Sequence, residues 1–290
     1  MVIKTQINSI KNSAIKVGAD DNRDYPKALF KPHFTLMVSG KTGSGKSNAI
    51  LNMLKQYDAT ATFQKRILIS PTAMNDLKYH TSHWDEVYDD YSDELLSTLV
   101  QQQKEDIEEF DDNVVKIALA KRFFKCKPAQ IATEFNQREL KLLSEMLDQE
   151  GDLHPPAQKF DQRPFAVVLM DDLGGTNAYR QNNSTINSII CKSRHYLMNF
   201  VLCCQHPYQI PRACRSQISH LIIFHNRDKT IMKEIAKENC DNVSPEEFLD
   251  LFETATADPH SFLLCDFKTG EFRQNFDTKL TVDKQKSVDT

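Results

Sequence analysis

The stretch Phe34-Thr35-Leu36-Met37-Val38-Ser39, followed by Gly40-Lys41-Thr42-Gly43-Ser44-Gly45-Lys46-Ser47, decides the fold. An apolar run of strand length enters a loop holding three of the chain's eight glycines, and the loop enters the helical pattern of residues 48–57. Glycines at this spacing let backbone N–H groups turn inward around phosphates. A lysine at the last-but-one position reaches the β- and γ-phosphates, and the hydroxyl after it ligates magnesium at a helix N-terminus. On this reading Gly40, Lys41, Thr42, Gly43, Ser44, Gly45, Lys46 and Ser47 bind ATP, with Lys46 as the phosphate cation and Ser47 as a magnesium ligand.

Outward from the loop, the order of elements predicts a doubly wound α/β sheet. Lys65-Arg66-Ile67-Leu68-Ile69-Ser70 is a short β-branched run stopped by Pro71, which suits the next parallel strand after a right-handed crossover. Residues 72–162 carry no strong strand signal, but Leu140, Leu143, Met146 and Leu147 recur at helical spacing, so this segment reads as a mainly helical insertion. It ends at the breaker cluster Gly151-Asp152-Leu153-His154-Pro155-Pro156. Further strands are expected at 165–170, 200–204 and 218–224. Helices are expected around Ile186, Ile189 and Ile190, at 230–236 and at 245–252, before a β-hairpin at 261–267 and 271–276. Residues 1–31 read as a loosely attached N-terminal arm, 32–280 as the nucleotide-binding domain and 281–290 as a flexible tail.

With 290 residues, 40% of them hydrophobic, the chain has enough apolar material for a full α/β core. Its apolar runs are too short to span a bilayer and Met1-Val2-Ile3-Lys4-Thr5 lacks a signal-peptide core, so a soluble, cytoplasmic chain is expected. The seven cysteines are odd in number, contain no CxxC and sit mostly in strand-like segments, which reads as reduced thiols; buried strand cysteines account for Cys203 and Cys204 better than a zinc site with His206 does.

Net charge is −4, but residues 84–112 hold twelve acids against the single base Lys104 and leave the remainder near +7. Those acids are expected on the outside, facing away from a polyanion and available to dock a protein partner. Lys116, Lys121, Arg122, Lys125 and Lys127 follow with no acid among them. A phosphate-backbone contact and a solvated basic face are both compatible with that segment.

Hydrolysis needs an acid at a strand end for the metal and a group that orients the attacking water. Asp171-Asp172, after Val167-Val168-Leu169-Met170, supplies both: Asp171 as the magnesium acid and Asp172 toward the water, with Gly174-Gly175 giving a sharp exit. Asp266, at the end of Phe262-Leu263-Leu264-Cys265, opens a hairpin without a second acid and reads as structural. Gln205 ends a strand that, if it lies between the loop strand and the acid strand, brings a polar side chain toward the γ-phosphate. Arg212 and Arg215 precede the 218–224 strand, where a cation reaches a neighbouring subunit's nucleotide more readily than its own. Such an arginine is worth about a thousand-fold or more in rate.

The ordered set of the Gly40 to Ser47 loop, Asp171-Asp172, Ser193-Arg194-His195, Gln205-His206-Pro207-Tyr208-Gln209-Ile210-Pro211 and Arg215-Ser216-Gln217-Ile218-Ser219-His220 resembles the poxvirus-type DNA-packaging ATPases of large eukaryotic DNA viruses, within the FtsK-HerA superfamily. The resemblance implies an α/β P-loop NTPase (RecA-like/ASCE) sheet flanked by helices. It also implies a homo-oligomeric ring that hydrolyses ATP with magnesium and moves double-stranded DNA into a capsid, against a capsid or portal-vertex protein. By the same similarity Lys46 and Ser47 bind nucleotide and metal, Asp171 holds the metal, Asp172 activates water, Gln205 senses the γ-phosphate and Arg215 is the finger, with Arg212 or Arg194 as the other candidates. A small-molecule kinase and a nucleotide-gated assembly protein are the competing classes. The paired acids, Gln205 and the lack of an arginine-rich lid weigh against the kinase.

Overall fold

A computed structural model describes residues 23–282 apart from 150, 181 and 182. Nine strands form one sheet in the order β3-β2-β4-β5-β1-β6-β7-β8-β9. The loop strand β1 (Thr35–Ser39) leads into α1 (Lys46–Ala59), which returns to β2 (Lys65–Ile69). Next come a single turn, α2 (Leu77–His80), the edge strand β3 (Glu86–Tyr88), and the 33-residue helix α3 (Asp93–Lys125). The short α4 (Ile131–Glu134) and α5 (Gln137–Glu145) precede β4 (Ala166–Met170). Helix α6 (Ser184–Lys192), β5 (Met198–Cys204), the single turn α7 (Arg212–Arg215) and β6 (His220–Phe224) complete the parallel part. Helices α8 (Lys229–Asn239) and α9 (Pro245–Ala255) then lead to the antiparallel β7 (Phe262–Asp266), β8 (Glu271–Gln274) and β9 (Thr278–Leu280).

Strands β1, β4, β5 and β6 are buried along their whole length, as continuous apolar runs covered on both faces must be. Alternation along each strand feeds two cores. Val38, Leu68, Val167, Leu169, Val201 and Cys203 pack with α1 and with Leu29, Phe30 and Phe34. Ile67, Ile69, Val168, Met170, Phe200, Leu202 and Cys204 face α3, α6, α8 and α9. Local signals set the helix starts: Ser92 caps α3 ahead of Asp93 and Glu94, and capping boxes open α5 (Asn136, Glu139) and α9 (Ser244, Glu247).

One expectation gains a detail and two are corrected. Residues 72–162 contain β3, which pairs parallel with β2 through Ile67 and Glu86; three half-exposed, partly acidic residues give no strand signal on their own. The first described residues are not loosely attached. Arg23 donates to Thr62 O (2.8 Å) and lies over the Phe165 ring, and Leu29 and Phe30 are core. Residues 1–22 of the expected arm and 283–290 of the expected tail lie outside the described residues. The acidic stretch is not uniformly external either. Asp106 is buried on α3, where Lys65 and Lys159 (2.5 Å) pair with it and pull its carboxyl below the usual range against the opposing effect of burial. Together with Gln103, which donates to Pro164 O, this anchors α3 to the sheet. The far half of α3 packs with α4 and α5 around a small separate core of Leu119, Phe135, Leu143 and Met146.

Candidate active site

Strand β5 lies between the loop strand β1 and the acid strand β4, so the ends of all three converge on one edge of the sheet. There the loop curls because Gly43 and Gly45 take φ of 77° and 105°, a left-handed backbone that only glycine adopts cheaply. Gly40 is needed for a different reason: a Cβ on it would meet Ser44 Oγ at 2.7 Å and Phe224 Cβ at 2.9 Å. Helix α1 begins with no side-chain cap, so its first N–H groups remain for a ligand. Lys46 Nζ donates to Gly40 O (2.6 Å) and Lys41 O (3.1 Å), along the loop it is expected to serve.

Asp171 ends β4 as a buried carboxylate tied at both oxygens. Its Oδ1 accepts from Asp172 N (2.9 Å) and its Oδ2 accepts the Tyr79 hydroxyl. Burial first, then the Asp171 carboxylate, raises the Tyr79 hydroxyl far above its ordinary range, so it stays a donor. Ser47 lies within reach of the same hydroxyl and accepts from Lys78 Nζ at 3.1 Å. The hydroxyl and carboxylate expected to hold magnesium are therefore brought together, and such a hard-oxygen pair, with room for water, fits that ion. Asp172 is exposed in a left-handed conformation (φ 55°, ψ 32°) that turns it out of the strand line and into the cleft.

Gln205 is exposed at the end of β5, and its backbone N–H donates to Gln209 Oε1 (2.8 Å), which also accepts from His206 N (3.2 Å). Gln209 Nε2 lies 3.1 Å from where a Cβ on Gly174 would stand, so the side chain bridges the exits of β5 and β4. Gly43, Gly45, Lys46, Ser47, Lys78, Asp171, Asp172, Gln205 and Gln209 border one cleft of about 1360 Å³, whose other wall is α1 (Asn52, Lys55, Gln56), His260 and the turn Asn275-Phe276-Asp277.

Arg215 stands apart from this cleft. It is buried, donates to Ile210 O (2.9 Å) and to both carboxylate oxygens of Glu238 (3.2 Å each), and covers the Tyr208 ring at 4.6 Å. All of those partners belong to its own chain. Arg212 and Arg194 are exposed. Cys203 and Cys204 are successive residues of one strand and point into opposite cores, which separates them as ligands. Among the described residues no three His, Cys, Asp or Glu side chains group to hold a metal, and all seven cysteines are free. His220 donates across to Asp266 (3.4 Å), a structural use of that acid.

Five contributors escape sequence reading: Lys78, Tyr79, Gln209, His260 and the Asn275 turn. Only Gln209 carries a signal, lying four residues after Gln205 where its side chain closes a capping box on His206.

Part of the chain matches the family described as Poxvirus A32 protein. The A32 match spans residues 128–264, from the turn after α3 to within β7, and contains Asp171, Asp172, Gln205 and Arg215; the phosphate loop precedes it. No curated protein matches the chain. Among solved structures, the genome packaging NTPase B204 of Sulfolobus turreted icosahedral virus 2 in complex with AMP superposes with a TM-score of 0.52 at 15% identity, over 85% of this chain and 98% of that one. The AMPPCP complex of B204 gives 0.51 at 15% over the same shares, and its sulfate complex 0.50 at 17%, over 84% and 97%. The fold is therefore that of a P-loop NTPase, a mixed sheet with helices on both faces.

Proposed function

We propose that this chain is a magnesium-dependent ATPase that moves double-stranded viral DNA into a capsid. The observation that carries the chemistry is the meeting of Ser47 with the Asp171-Asp172 pair at one edge of the sheet, with β5 and Gln205 between their strands. The match to Poxvirus A32 protein and the likeness of fold to B204 support the packaging role.

In this reading the loop N–H groups and Lys46 hold the β- and γ-phosphates, and Ser47 and Asp171 hold magnesium, which when bound offsets phosphate charge. Asp172 orients the attacking water and accepts its proton, while Gln205, steadied by Gln209, contacts the γ-phosphate. The Asn275 turn and α1 give the cleft room for the base. A ring of identical subunits, a capsid or portal-vertex partner and a place of work in the host cytoplasm or viral assembly site complete the proposal. Of the three arginines, Arg212 is the one we assign to a neighbour's nucleotide, because it is exposed on the turn where Arg215 is buried.

The test is length-dependent stimulation of ATP hydrolysis by double-stranded DNA. Turnover passed to a nucleoside instead of water would indicate a kinase, and tight ATP binding without turnover would indicate a nucleotide-gated assembly protein.

A further inference from the structure

Lys78 reaches the cleft from the β2 side, across β4 and β5 from the phosphate loop. Its ammonium lies 3.1 Å from Ser47 Oγ, one hydrogen bond from the hydroxyl assigned to the metal. Two further contacts fix it there. Asp76 Oδ2 pairs with the ammonium at 2.7 Å, while Asp76 Oδ1 accepts from the Lys78 backbone N–H (3.3 Å). The next residue, Tyr79, is pinned by its hydroxyl on Asp171 and by Trp84 Nε1 donating to its carbonyl (3.2 Å). Lys46 already supplies the cation on the loop side. In the nucleotide site proposed above, a second ammonium beside the metal-binding hydroxyl would add positive charge at the γ-phosphate, which a diphosphate lacks.

We propose that Lys78 is a second, cis-acting phosphate cation that reads the γ-phosphoryl group and sets a preference for triphosphate over diphosphate. This rests on the ATPase reading above. The side chain is 40% exposed, so shortening its charge leaves no buried cavity behind.

Binding of magnesium ATPγS and of magnesium ADP is measured by calorimetry on wild type, Lys78→Met, Lys78→Arg and Lys46→Ala. Lys78→Met is expected to weaken ATPγS by about ten-fold or more while changing ADP less than about two-fold, and Lys78→Arg to keep most of the preference. Equal weakening of both nucleotides, or none, in a variant that melts like wild type overturns the role of Lys78 and leaves the ATPase intact. Wild type that binds neither nucleotide, or binds both as well as Lys46→Ala does, overturns the ATPase reading and this proposal with it.

Discussion

The Tyr79 hydroxyl, from the segment after β2, donates to the carboxylate of Asp171 at the end of β4. A buried carboxylate that loses its donor carries the full desolvation penalty. Tyr79→Phe should therefore lower stability by about 1–3 kcal/mol without ligand. Magnesium and nucleotide engage the same carboxylate in the proposed account, so the deficit should shrink in their presence. Thermal melting of both proteins with and without magnesium ATPγS checks this; an equal deficit in both conditions would separate Tyr79 from the metal site.

Asp172→Asn keeps the shape of the side chain and removes its capacity to take a proton. Nucleotide affinity should stay near wild type while hydrolysis falls by about a hundred-fold or more. Single-turnover hydrolysis alongside equilibrium binding distinguishes the two effects, and normal turnover would remove Asp172 from its role.

Arg215→Ala strips the partner from Glu238 and uncovers Tyr208, and should cost about 1–3 kcal/mol by denaturant unfolding. Mixed into wild-type subunits, it should depress turnover only in proportion to its share. Arg212→Ala should depress turnover more than in proportion. The reverse pattern would restore Arg215 as the finger.

His220 is buried between Ser219 and Asp266, with the Phe30 ring stacked at 4.1 Å and Phe34 at 6.2 Å. Burial lowers its pKa, against the raising effect of Asp266. Lys268 also lowers it. A depressed histidine pKa means that the unfolded chain binds the proton first. The contribution is therefore full above the ordinary histidine value of about 6.5 and falls as pH drops through the folded value. Asp266, held well below the carboxylate range by His220, Thr269 and Lys268 in spite of its burial, adds a second loss only below about pH 4. Chemical denaturation from pH 8 to 5 should show stability falling below about 6.5, and His220→Gln should flatten that segment.

Lys121 and Lys125 are exposed at the far end of α3 and Lys127 just beyond it, whereas Arg122 is taken up by Glu139 (2.8 Å) and the Phe135 ring. Replacing the three lysines with glutamine should reduce the salt slope of DNA binding by about 2–3. An unchanged slope would assign them to a solvated surface.

The phosphate loop, the acid strand and most of the sheet were legible because each is carried by a local pattern: glycine spacing, or an apolar run with an acid at its end. Strand β5 could be read as a strand, but only the pairing of Leu36 with Val201 and of Leu169 with the same Val201 puts it between β1 and β4. What stayed hidden depends on contacts across long separations. Lys78 and Ser47 are 31 residues apart and Tyr79 and Asp171 are 92 apart, and nothing in the four-residue turn of α2 hints at either. Arg215 has a tertiary partner that no local pattern signals. Its sequence position suits a finger, but Glu238, 23 residues on, folds back to hold it.

The most direct test is steady-state ATP hydrolysis with and without long double-stranded DNA, with Lys46→Ala as the control. Turnover that requires Lys46 and rises with DNA length is the predicted result. Turnover that requires Lys46 but ignores DNA would contradict the packaging motor while leaving the nucleotide site in place.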